Sequence, residues 1–238
     1  MSVTGKQVHD PRLVSPDRGV VTVWSDIGCP WASLGLHTLL SRARERDVDV
    51  LVDHRAFPLE LFNKRATPKG IIDVEVTAIA GLVPALHWRQ WIGSEAEYVV
   101  STLPAMGAVQ AAKDLGVGGL RASNELDSSL RRAFYERGRC ISVHAEILKA
   151  ASMCPSINLP ALEHALEQGQ GHATVFSDWH IADSPLVKGS PHFFLGDRYE
   201  AHNPGVDYHW TAPPGEGFVR FDHYDPTWAD TLLDLVER

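Results

Sequence analysis

The residues of this chain whose types and spacing could do chemistry lie together in Asp26-Ile27-Gly28-Cys29-Pro30-Trp31. A cysteine is a nucleophile only as its thiolate, and a thiolate is favoured at the N-terminal end of a helix, where unpaired backbone N–H groups and the dipole attract an anion. The flanking sequence supplies such a helix. Val20-Val21-Thr22-Val23-Trp24 is a β-branched run that reads as a buried strand, and Leu36, Leu39, Leu40 and Ala43 then recur at the spacing of one helix face. Proline is at home in a first helical turn, so Pro30 starts the helix and Cys29 sits at its end. With the Trp31 and Ala32 amides free to point at the sulfur, the Cys29 thiol is expected below its ordinary value of about 8.5. Two effects oppose this: a charge on Asp26, and burial beneath Trp31. The helix end prevails provided the sulfur is partly exposed. Asp26 either tunes the thiol and relays protons or caps the helix start. Cys29 itself admits a second role, as a small apolar residue closing the strand–helix junction.

The elements that must hold this stretch follow in order. Val48, Val50 and Val52 alternate with Asp49, Leu51 and Asp53, a second strand at period 2. Val20 to His54 is therefore β-α-β, with parallel strands and a right-handed crossover. Arg55-Ala56-Phe57 leaves the sheet before Pro58. From Lys64 to Asp183 helical patterns dominate: Pro104 to Leu115 stopped by Gly116, Leu126 to Arg137 after Ser123-Asn124-Glu125, Val143 to Met153 capped by Ser142, Pro160 to Gln168, and Ala173 to Ile181. Phe193-Phe194-Leu195, the turn pair Gly196-Asp197 and Arg198 to His202 then make an antiparallel return. After Asn203-Pro204-Gly205 comes an aromatic loop with Trp210. Thr227 to Glu237 is a closing helix with Leu232, Leu233 and Val236 inward.

Composition sets the outer limits. The chain has 238 residues, 44% of them hydrophobic and 22% charged, with a formal net charge of −8. That length can bury a sizeable core. The acidic balance argues against nucleic acid and against an anionic membrane surface, both of which call for a basic face, and no run reaches the roughly 20 apolar residues of a membrane span. Residues 1–19 lack the apolar core of a secretory signal and read as a polar, flexible arm. The 3 cysteines, at 29, 140 and 154, form no disulfide framework, which points to a reducing, cytoplasmic setting. Cys140 and Cys154 fall in helical segments and read as packed residues. No zinc-type spacing, H-E-x-x-H or phosphate-binding glycine motif occurs, so no metal or nucleotide is implied. His37 and His192 flank the candidate region without a pattern that makes either catalytic.

Asp26-Ile27-Gly28-Cys29-Pro30-Trp31 resembles the active-site stretch of DsbA-like thioredoxin-fold proteins, in particular the branch with a Cys-Pro-Trp-Cys motif preceded by aspartate. The related 2-hydroxychromene-2-carboxylate isomerases and kappa-class glutathione transferases share the layout with serine for the first cysteine. Gly189-Ser190-Pro191 before an apolar strand is similar to the cis-proline loop of the same proteins. The resemblance implies an α/β fold, a thioredoxin-like mixed sheet with a large all-helical insertion. The sheet domain would comprise residues 20–63 and 184–238, and the insertion 64–183. It also implies a site in which Cys29 and Asp26 are catalytic, Pro191 is cis and opposite Cys29, and Pro30, Trp31, Ser190 and Pro191 bind substrate. One departure matters: Ala32 stands where the second cysteine belongs, so no resolving thiol is present there.

Three functions follow. The first is a thiol–disulfide oxidoreductase working through Cys29 alone on a small thiol or disulfide. It requires no cofactor, although glutathione or another low-molecular-weight thiol can serve as resolving partner. The second is a glutathione-type transferase or isomerase with Cys29 in place of the usual serine. The third is a redox-inactive binding protein of the same fold.

Overall fold

Val21–Ser25 (β1) is buried at every position, and its alternate side chains supply the two faces of a sheet. In the computed structural model, which describes residues 10–237, β1 runs into Pro30–Glu45 (α1). That helix returns the chain to Val52–Ala56 (β2), parallel to β1 in the register Val21↔Val52 through Ser25↔Ala56. His192–Leu195 (β3) pairs antiparallel with the other edge of β1, and Tyr199–His202 (β4) pairs antiparallel with β3. The order β2-β1-β3-β4 is a mixed sheet with β1 and β3 central. Trp228–Val236 (α9) lies beside α1 on one face. Leu36, Leu39 and Ala43 of α1 pack there with Leu232 and Leu233 of α9 over Val21, Val23 and Phe193. The opposite face, Trp24 and Phe194, is covered by Leu13, Phe57, Ala182 and Val187.

Between β2 and β3 the chain is helical: Leu59–Asn63 (α2), Lys69–Leu82 (α3), Leu103–Ala111 (α4), Gly119–Tyr135 (α5), His144–Ala151 (α6), Leu159–Glu167 (α7) and His172–Ala182 (α8). Their inward residues, among them Ile79, Met106, Leu126, Leu130 and Leu162, form a separate core. That core also takes in Ile27, Cys29, Trp31, Ala32 and Leu34, so the N-terminal half of α1 belongs to the helical layer and its C-terminal half to the sheet. Cys29 stands at the seam. Among the described residues no helix is long and apolar enough to cross a membrane.

Several local expectations are corrected. The second strand does not begin at Val48: Asp47 takes a positive φ and the Val48 N–H donates to Ala43 O, closing the helix instead. Nor does it end at His54, since it stays paired to Ala56, and the Phe57 N–H still donates to Ser25 O before Pro58. Helix α5 starts at Gly119, earlier than Leu126, so Ser123-Asn124-Glu125 lies within it, and Ser123 turns inward to donate to Val109 O. Ser142 does not cap α6: its hydroxyl donates to Ser101 O and accepts the Ser101 N–H, leaving Val143 as N-cap. The expected aromatic loop is a two-stranded ribbon, Val206–Trp210 (β5) antiparallel to Val219–Tyr224 (β6). Of the expected arm, residues 1–9 lie outside the described residues. Residues 10–19 are docked, with Leu13 buried, its carbonyl accepting Trp24 Nε1–H at 2.9 Å and the Ser15 N–H donating to Thr22 Oγ1 at 2.7 Å.

Gly35 sets how closely α1 approaches the turn into β3. A Cβ there would lie 3.1 Å from Phe193 Cζ and 3.6 Å from Pro191 Cγ, whereas one at Gly81, exposed in α3, would meet nothing within 4 Å. Gly35→Val is therefore expected to lower stability by about 1–3 kcal/mol through overpacking. Gly81→Ala should raise it by up to about 1 kcal/mol through helix propensity. Urea unfolding of the two variants checks both signs.

Candidate functional site

Cys29 is the N-cap of α1, with extended φ and ψ and Pro30 as the first helical residue. Its N–H donates to Asp26 O, and its carbonyl accepts the Ser33 N–H to begin the helix. The chain entering β3 meets it there: the Ser190–Pro191 peptide is cis, and Cys29 Sγ–H donates to Ser190 O at 3.2 Å. The Ser190 hydroxyl in turn accepts the Asp26 N–H at 2.9 Å, so two loops distant in sequence are laced together around the sulfur.

The electrostatics reverse the expectation for the thiol. The Ala32 amide does hydrogen-bond the sulfur and favours the thiolate, as the helix end requires, but Cys29 is only 3% exposed. Burial outweighs the amide and the Ser190 contact, Glu75 and Asp26 add repulsion, and the thiol is pushed up to about 12. The condition of partial exposure fails, and with it the lowered value.

Asp26 is buried, and its carboxylate bonds backbone amides. Its Oδ1 accepts the Gly28 N–H at 2.7 Å and its Oδ2 the Leu59 N–H at 2.9 Å. Burial pushes this carboxyl up as well. The geometry makes Asp26 an organiser of the loop that ties β1 to the start of α2, and it reaches Cys29 only through space. Trp31 is not an open platform. Its Nε1–H donates to Glu75 Oε1 at 2.9 Å, and its ring stacks on Tyr208 of β5 at 3.7 Å between centroids. Pro191 packs behind the site against Gly35.

Cys29, Pro30, Trp31 and Ser190 share a groove of about 720 Å³ between the sheet and the helical layer, a size that suits a small-molecule ligand. Its other walls include Asn63, Arg65 to Pro68, Ile72 and Glu75 from the helical layer, and Tyr208 and Trp210 from the ribbon. Cys140 and Cys154 lie outside it, Cys154 donating to Ala150 O in the helical layer. Among the described residues no group of three or more His, Cys, Asp or Glu could hold a metal ion.

The residues that hold this site include several that sequence reasoning did not single out. Arg131 of α5, 5% exposed, pairs with Asp127 through two hydrogen bonds of 2.7 and 3.0 Å. It then spends its remaining donors on the motif region: Asp26 O at 3.1 Å, Ser33 Oγ at 2.8 Å and Ser25 Oγ at 3.0 Å. Tyr135 donates to Ile27 O at 3.2 Å. In sequence Asp127 and Arg131 are four apart, a spacing shared with any exposed helix ion pair. The ribbon had a readable signal, Val206, Tyr208 and Trp210 alternating with Asp207 and His209.

No protein-family model and no curated protein matches this sequence. Solved structures are similar to it. The cytosolic disulfide reductase DsbM from Pseudomonas aeruginosa with GSH aligns over 92% of this chain and 97% of its own, with a TM-score of 0.63 and 16% identity. The probable DsbA oxidoreductase SCO1869 from Streptomyces coelicolor aligns over 76% and 82%, with a TM-score of 0.58 and 20% identity. A 2-hydroxychromene-2-carboxylate isomerase aligns over 75% and 86%, with a TM-score of 0.53 and 15% identity. The chain has the thioredoxin-like fold of these DsbA-like proteins, with a mixed sheet and a helical insertion.

Two measurements follow from the site's electrostatics. The rate of Cys29 alkylation by iodoacetamide should climb about tenfold per pH unit from pH 7 to 10, because the thiolate fraction is still growing throughout. A plateau near 8.5 would show an unburied thiol. Arg131→Met, which strands Asp127 without its cation, should lose about 3–5 kcal/mol of stability in urea unfolding. Combining it with Asp127→Leu should recover a large part of that loss, because the uncompensated charge is gone.

Proposed function

We propose that this chain is a thiol–disulfide oxidoreductase that works through Cys29 alone and uses a small peptidic thiol such as glutathione as its second thiol. The observation that carries the reading is the meeting of Cys29 Sγ with the Ser190 carbonyl, 3.2 Å apart, on the wall of a groove large enough for a tripeptide. In this scheme the Cys29 thiolate attacks one sulfur of a bound disulfide. The S–S bond breaks, and the departing sulfur leaves as a thiolate that takes up a proton. Ala32 carries no sulfur, so the mixed disulfide at Cys29 is resolved by attack of an external thiolate, which regenerates Cys29. Pro30, Trp31 and Ser190 border the ligand, Pro191 fixes the loop that presents the Ser190 carbonyl, and Asp26 orders the turn. A DsbA-like protein crystallised with GSH supports a ligand of this kind. The chemistry also suits a reducing compartment, and we assign the protein to the cytoplasm, where thiols stay reduced.

A second reading has its own observation. A thiol held at about 12 is neutral at physiological pH, donating its proton to Ser190 O. A neutral Cys29 could turn that donor toward a bound thiolate, as a serine hydroxyl would, and serve a transferase or isomerase rather than attack anything itself. Incubation with oxidised glutathione separates the two. The oxidoreductase reading expects the wild type to gain one glutathione at Cys29, released by excess reduced glutathione. Cys29→Ser should gain none there, and Ala32→Cys should discharge the adduct internally. Absence of any adduct at Cys29, with reduced glutathione still bound, would favour the second reading.

A further inference from the structure

The inward stripe of α3 is Ile72, Glu75, Val76 and Ile79, so a carboxylate stands where the pattern calls for an apolar residue. Glu75 is 8% exposed and lines the groove. Its Oε1 accepts Trp31 Nε1–H, which favours the ionised carboxyl but is outweighed by burial and supplies no counter-charge. Among the described residues no Lys, Arg or His forms an ion pair with Glu75. Lys69 of the same helix pairs with Asp73 instead, and Asp73 also accepts the Trp91 N–H. The titratable groups that act on Glu75, or on which it acts, are Cys29 beside α1, Tyr98 and Tyr208, none of them a cation. Burial accordingly pushes its carboxyl up to about 7. A buried carboxylate without a cation is costly. The cation lining the same groove is Arg65, an exposed residue between α2 and α3.

We propose that Glu75 is the groove's recognition point for an ammonium group on the thiol ligand. This rests on the ligand-binding reading given above and narrows it. The preferred thiol carries a free amino group to face Glu75. Arg65 is placed to receive its carboxylate. An ammonium beside Glu75 favours the ionised carboxyl. With its carboxyl at about 7, Glu75 is partly protonated near neutral pH, so binding should release a fraction of a proton and affinity should fall as pH drops below 7.

Calorimetry on the reduced full-length protein tests this. Glutathione is compared with glutaryl-cysteinyl-glycine, which lacks only the ammonium, at pH 6.5 in two buffers of different ionisation enthalpy. Glutathione should bind at least about tenfold more tightly, the range of a charge-assisted hydrogen bond, and should release a proton that the analogue does not. Glu75→Gln, which keeps an acceptor for Trp31, should erase both differences. If the wild type binds both ligands equally with no proton released, or if Glu75→Gln still discriminates, the assignment of Glu75 is overturned while the groove keeps its thiol-binding role. If neither ligand binds, both readings fall. The wild-type comparison decides the matter even if Glu75→Gln does not fold.

Discussion

The site depends on one buried cation. Arg131 crosses from the helical layer into the loop between β1 and α1, where its guanidinium holds Asp26 O, Ser25 Oγ and Ser33 Oγ at once. The fixed fork of an arginine can satisfy several acceptors without bending any of them, which a lysine could not do. Asp127 neutralises it from the preceding turn of α5, so the charge is admitted to the interior only with its partner and with its donors occupied. A buried pair of this kind contributes little net stability. What it does here is specify geometry: the carbonyls of a loop that no strand or helix can satisfy acquire donors, and the turn that carries Cys29 is fixed against the insertion.

From that constraint the groove follows. Because α1 serves the helical core at its start and the sheet core at its end, its N-terminus emerges where the two layers part. The sheet side brings the Ser190 loop, the insertion brings α3 with Glu75, and the ribbon of β5 and β6 folds Tyr208 onto Trp31. The motif tryptophan thus joins the insertion, by its indole N–H, to the ribbon, by its ring face. Stacked aromatic pairs add to the area they bury, and here the pair forms one wall of the site.

Closing those walls has a consequence for the thiol. Donors at a helix end favour a thiolate by bonding it directly, but the benefit is set against the loss of water around the charge. At Cys29 the Ala32 amide is in place, and it is outweighed by nearly complete burial and by two carboxylates that repel an added negative charge. At neutral pH the site therefore holds a neutral thiol.

The β-α-β unit, the helical insertion, the return through Phe193 and the closing helix were legible because each rests on short-range patterns: β-branched runs, helix spacing, prolines and turn pairs. The position of Cys29 at a helix start was equally local, fixed by Pro30 and the periodicity that follows it. The contact with Ser190 and the roles of Arg131, Glu75 and Tyr208 were not legible, since each joins residues far apart in the chain. In sequence Arg131 has the spacing of a surface ion pair, and Glu75 is one acidic residue among many. Even the charge state of Cys29 escaped local reasoning. Sequence by itself determined which donors point at the sulfur, because helix geometry is set by neighbouring residues. Only the tertiary structure decided that the sulfur has almost no water, because burial is imposed by chain segments that meet only after folding.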